Sequence, residues 1–137
     1  MVSTPINMSS PHYAGFWIRF LASLFDILII GIPAALIFGL IAATKMNVLY
    51  WVVELASVVL IVYLNGIKGG TPGKFIVGIR IVNVQGQFIG IPISILRHIG
   101  YIVSDITLGI GYLMIAFTAK KQGLHDMIAK TYVVYVR

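Results

Sequence analysis

Pro92-Ile-Ser-Ile-Leu-Arg-His-Ile-Gly-Tyr-Ile-Val-Ser-Asp-Ile-Thr-Leu-Gly-Ile-Gly-Tyr-Leu-Met-Ile-Ala-Phe-Thr-Ala119 is an apolar block with a weak centre. A bilayer crossing takes about 20 residues as helix, so the block is long enough to cross once. Thr107-Leu-Gly-Ile-Gly111 in its middle is poor helix, so it can also enter and turn back. If it crosses, the flanking basic residues divide three (Lys68, Lys74, Arg80) against four (Lys120, Lys121, Lys130, Arg137), and the positive-inside rule is nearly silent. If it turns back near Gly109 and Gly111, every Lys and Arg except Lys45 falls on or near one face. The charge rule favours re-entry, with N- and C-termini cytoplasmic. Irregular backbone at that depth is tolerated where protein buries it or water reaches it.

Outward from this block the chain reads as membrane protein throughout. Of its 137 residues 59% are hydrophobic and 10% charged, and mean hydropathy is +0.99. Soluble domains carry about 25% charged residues, so this surface belongs in lipid. The first apolar block, 15–43, opens on Tyr13, Phe16 and Trp17, rings suited to an interface. Pro33 predicts a tilt or kink near its centre. A short turn leads to a second span, 47–67, giving a transmembrane helical hairpin. Residues 68–91 hold Gly69, Gly70, Pro72 and Gly73, then a β-rich run from Phe75 to Val84, for which a small hairpin turning near Gln85-Gly86 is expected on the cytoplasmic side. The broken helix 92–119 follows, and a short strand over 130–137 is placed to pair with the Phe75–Val84 run. The expected fold is an all-α integral membrane domain, residues 1–137, with this β element in its loop.

Seven ionisable or near-ionisable side chains interrupt or border the apolar helices: Arg19, Asp26, Glu54, Arg97, His98, Asp105 and Asp126. A charge at the bilayer centre costs about 2.5–3.5 kcal/mol on insertion scales, so such residues face the bundle interior and take partners. At about 1.5 Å per residue, Asp26 and Asp105 lie deep in their blocks and Glu54 near the middle of its span, so three carboxylates are expected to meet near the midplane. Arg19 and Arg97 lie closer to the edge. Arg19 is placed to meet Asp126 or Asp105, and Asp26 to meet Arg97. Glu54 has no basic residue within a helical turn, and so is neutral, faces a water-filled cavity, or pairs with another chain. Gly31, Ala35, Gly39 and Ala43 form a small-residue stripe for close helix approach, by the second span or by another subunit.

Other chemistry is poorly supplied. There is no Cys, which excludes thiolate metal sites, disulfides and cysteine nucleophiles. Gly70-Thr-Pro-Gly-Lys-Phe75 resembles a phosphate loop but has Lys68 at the first glycine position and Phe75 where a hydroxyl is needed. His12, His98 and His125 lack ligand spacing, and no nucleophile elbow is present. The +6 net charge is dispersed between apolar blocks, which argues against nucleic acid. The chain is not expected to be an enzyme or to carry a cofactor.

Tyr13-Ala-Gly-Phe-Trp-Ile-Arg19, Asp26, Thr71-Pro-Gly-Lys74, Gly123-Leu-His-Asp126 and Thr131-Tyr-Val-Val134, in that order, resemble the RDD family of prokaryotic membrane proteins. The family's arginine and two aspartates match Arg19, Asp26 and Asp126, and Arg97 and Asp105 also look like family positions. The resemblance implies a small multi-span protein of the cytoplasmic (inner) membrane, with transport, including sodium–proton exchange, as the activity reported for some members. The leading expectation is therefore an oligomer that moves a monovalent cation or proton, with Asp26 and Asp105 as carboxylate sites. The alternative is a non-catalytic accessory or regulatory subunit of a larger membrane complex, whose partners would be the lipid bilayer and another membrane protein. A third reading is a binder of anionic lipid through Lys68, Lys74, Arg80, Lys120 and Lys121.

Overall fold

The computed structural model describes residues 5–107 and 109–136. Arg137, counted above with the tail, lies outside them. Two helices are long and apolar enough to cross a membrane. The first, Phe16–Thr44, consists of α1 (Phe16–Asp26), a π turn (Ile27–Gly31) and α2 (Ile32–Thr44). Pro33 explains the π turn: it has no N–H, and its ring crowds the carbonyl four residues back, at Ile29, so the backbone widens there. Lys45, in the left-handed conformation, ends α2. The hairpin returns through α3 (Asn47–Tyr63) and a second π turn (Leu64–Lys68), with the Phe38 and Tyr50 rings 4.8 Å apart across it.

Residues 68–91 depart from the expected β-rich loop. Thr71-Pro72 begins a short helix, α4 (Pro72–Val77), which Gly78 ends at φ +76°. Proline at the first turn and a left-handed glycine past the last one are helix start and stop signals, and here they override the β-branched residues between them. Only β1 (Ile79–Val82) is strand. A turn at Asn83–Gly86 exists, closed by the Gly86 N–H donating to Asn83 O at 3.0 Å. It does not close a hairpin within the loop, because Gly90-Ile-Pro92 starts α5 (Gly90–Ile106) soon afterwards. The strand that pairs with β1 is β2 (Tyr132–Tyr135), antiparallel in the register Ile79↔Tyr135 to Val82↔Tyr132, as expected for the tail.

The broken helix is observed. α5 is followed by α6 (Ile110–Phe117) at an angle of 104°, with Gly109 at φ +83° beside the bend, a conformation that suits glycine. Then comes α7 (Leu124–Ala129), which packs against α5. Since β1 precedes this block and β2 follows it, the block enters and leaves at the same end of the hairpin. The N-terminal segment joins that end too: the Ala14 N–H donates to Val133 O at 2.8 Å, and Tyr13 bridges Val134. The core lies there, around Ala14, Ala22, Ile79, Ile81, Ile89 and Val133. The spans have little interior of their own, with 6% of each most apolar stretch buried.

Candidate functional site

Asp126 is the centre of the buried charge. It sits at the third position of α7, with no exposed surface, and accepts from the Gly123 N–H at 3.1 Å, tying the helix start together. Arg19 Nη1 donates to its Oδ2 at 2.5 Å and Arg97 Nη2 to its Oδ1. Each guanidinium also holds other elements. Arg19 donates to Ala14 O at 3.1 Å and to Lys121 O at 2.6 Å. Arg97 donates to the Thr131 hydroxyl at 3.2 Å and to the Tyr101 hydroxyl at 2.6 Å, one turn along α5. This Arg19–Asp126–Arg97 clamp, with the further partners of its two guanidiniums, joins α1, α5, α7 and the approach to β2.

Burial by itself would raise the Asp126 pKa. The charges of Arg97 and Arg19, with the hydrogen bond from Arg19, outweigh it and hold the carboxyl below the usual range. His125 beside it is buried and stacked on Tyr101, ring centroids 4.2 Å apart. Desolvation first, then the nearby Arg97 charge, push its pKa down to about 3, so the ring is neutral.

Asp26 does not meet Arg97. Its Oδ2 accepts from the Thr71 hydroxyl at 2.6 Å and its Oδ1 from the Gly73 N–H at 2.7 Å, so it caps α4 from another helix. Gly73 is required for this approach: a Cβ there would lie 2.0 Å from Ala22 O. Asp105, at the exposed end of α5, accepts from the Tyr112 hydroxyl at 2.9 Å. Glu54 is half-buried in α3, and among the described residues no hydrogen bond or ion pair reaches it. The three carboxylates therefore do not converge. The first span is longer than a bilayer is thick, which moves Asp26 outward. From Thr44 back to Asp26 is about 27 Å of helix, the same rise that carries α3 from Asn47 to about residue 65. Asp26 therefore stands level with the end of the second span. Arg19 is about 10 Å further out.

The stripe is not packed on the second span. Ala35, Gly39 and Ala43 are exposed, Gly31 is half-buried, and a Cβ on Gly39 would meet nothing within 4 Å. Ile41 is buried instead. The sequence reading missed Thr71 and Gly73 as partners of Asp26, and Tyr101 as a partner of Arg97. The Arg97–Tyr101 spacing of four on a helix was the available signal for the last. A cavity of about 350 Å³ lies beside the clamp, bordered by Arg19, Arg97, Lys74, Tyr101 and His125. No group of three or more metal-ligating side chains occurs among the described residues.

The RDD family model matches residues 13–130, which contain both arginines and every residue of the clamp except Thr131. The chain belongs to the RDD family. Three Bacillus subtilis proteins are similar to it over most of its length. An uncharacterized protein, YxaI, is 37% identical over 89% of this chain and 97% of its own. A second, YckC, is 39% identical over 95% and 88%. An uncharacterized membrane protein, YteJ, is 34% identical over 90% and 81%. No solved structure matches this RDD chain.

Proposed function

We propose that this RDD protein is an accessory subunit of a larger assembly in the cytoplasmic membrane, docking through the sides of its helical hairpin. The observation that carries this is Glu54. It lies about 10 Å along α3 from the hairpin tip, at a depth where an ionisable side chain is costly and is expected to have a partner, and its own chain supplies none among the described residues. A partner helix with a basic or hydrogen-bonding residue would complete it. The open small-residue stripe and the nearly unburied spans are consistent with such a neighbour.

The orientation follows from charge. The sheet end of the hairpin carries Lys68, Arg80, Lys120, Lys121 and Lys130, while Lys45 stands at the tip. The sheet end is then cytoplasmic.

Photo-crosslinking from a reactive residue at position 54 in native membranes tests the reading. A discrete protein adduct that Gly39→Leu removes supports it. Cation transport is the competing outcome. Purified protein in proteoliposomes should give no proton flux on a sodium or potassium pulse; flux that Asp26→Asn abolishes at unchanged thermal stability would replace the accessory reading with transport.

A further inference from the structure

We propose that the cavity beside the clamp binds an anionic phosphate group, carried by a lipid headgroup at the cytoplasmic interface. Its volume of about 350 Å³ falls at the lower end of small-ligand sites. Arg19, Arg97 and Lys74 border it, and no carboxylate does among the described residues.

The nearest acids are already engaged. Asp126 accepts from Arg19, Arg97 and the Gly123 amide, and Asp26 from Thr71 and the Gly73 amide. Three cations therefore face two carboxylates, each already hydrogen-bonded within the protein. Lys74 forms no ion pair among the described residues. The polar atom near its Nζ is the Thr71 hydroxyl oxygen, at 3.5 Å. Each arginine spends three hydrogen bonds on protein and keeps further N–H donors. The Tyr101 hydroxyl, which accepts from Arg97, retains its own proton to donate. Guanidinium, ammonium and hydroxyl donors gathered in a partly desolvated recess suit a phosphate oxyanion.

Depth and apolar surface favour the lipid form. Counted from Thr44 at the opposite edge, Arg19 lies about 37 Å along the helix, roughly 7 Å past a hydrocarbon core of about 30 Å. Headgroup layers add roughly 5–8 Å on each side of the hydrocarbon core. Phe20 borders the cavity and is half exposed on α1, next to the exposed Trp17, so acyl chains could leave the recess along that face.

The test uses the full chain in neutral detergent. Native mass spectrometry compares retained phosphatidylglycerol with phosphatidylcholine of the same acyl length, and thermal shift is measured with inorganic phosphate. Wild type should retain the anionic lipid preferentially, and Lys74→Gln should weaken that retention about fivefold. Ser23→Leu, which fills the cavity without changing charge, should weaken it as well and serves if Lys74→Gln does not fold. Lys120→Gln, whose ammonium lies over the Tyr132 ring, should not. A phosphate-induced shift lost in Lys74→Gln, without lipid preference, supports the site and assigns it a free phosphate. Equal loss in Lys120→Gln, or no response to either ligand, overturns it.

Discussion

A carboxylate with no exposed surface between two guanidiniums is stable only while all three charges are present. Asp126→Asn would leave Arg19 and Arg97 buried against each other without a counter-charge. Breaking such a group from one side costs about 3–5 kcal/mol. Thermal unfolding in detergent should show a large loss for Asp126→Asn, and Arg19→Lys should also be destabilised because an ammonium cannot reproduce the three-way fork to Ala14, Asp126 and Lys121. His125 makes the same region sensitive to acid. Burial and Arg97, with Arg19 and Lys74 adding to them against the opposing Asp126, hold it neutral down to about pH 3. In the unfolded chain it takes a proton near pH 6.5. Stability is then fully present above about pH 6.5 and declines as pH falls toward 3. Asp126, whose folded pKa is depressed, adds its own loss only below about pH 4, the unfolded carboxylate value. Thermal unfolding at pH 7 and pH 5 should show this decline in wild type, and a smaller one in His125→Phe, which keeps a ring against Tyr101.

At the scale of elements, α4 is held against α1 by Asp26 and by the absence of a side chain at Gly73. Gly73→Ala places a methyl against Ala22 O. The two helices must separate, weakening the Asp26 cap, at a cost of about 1–3 kcal/mol in unfolding. The signals for α4 were in the sequence: Pro72 and Gly78 bracket it. They were outweighed by Phe75-Ile-Val-Gly-Ile, whose β-branched residues also suit strand, and only tertiary contact with α1 decides between the two. The helices of the hairpin were legible because long apolar runs have few alternatives. So was the tail strand. Of the charges, opposite sign limited Arg19 to Asp126 or Asp105, and only the structure selects Asp126. Asp26 could not, because its partners are a hydroxyl and a backbone N–H, which leave no charge pattern to read. The depth of Asp26 was misjudged for a different reason: counting from the helix start assumes that the helix begins at the membrane edge, and this one extends past it.

The whole molecule is organised by the pairing of β1 with β2. Because these strands flank the broken helix, the membrane crossings between Tyr13 and β2 must be even in number, and two long helices supply them. The chain has no cysteine, so a thiol introduced at any position is unique and reports its side of the membrane. Met46→Cys at the exposed hairpin tip should react with a membrane-impermeant maleimide in intact cells. Gln85→Cys, on the turn after β1, and Val136→Cys, next to the end of β2, should react only after lysis. Labelling of both of these from outside, with Met46→Cys protected, would reverse the orientation while leaving the crossings at two. Labelling of Gln85→Cys and Val136→Cys from opposite sides would mean that 92–119 crosses the bilayer. Since the β1–β2 hydrogen bonds cannot span a membrane, that result would require the sheet, the Arg97–Asp126 contact and the clamp built on it to be absent in the cell.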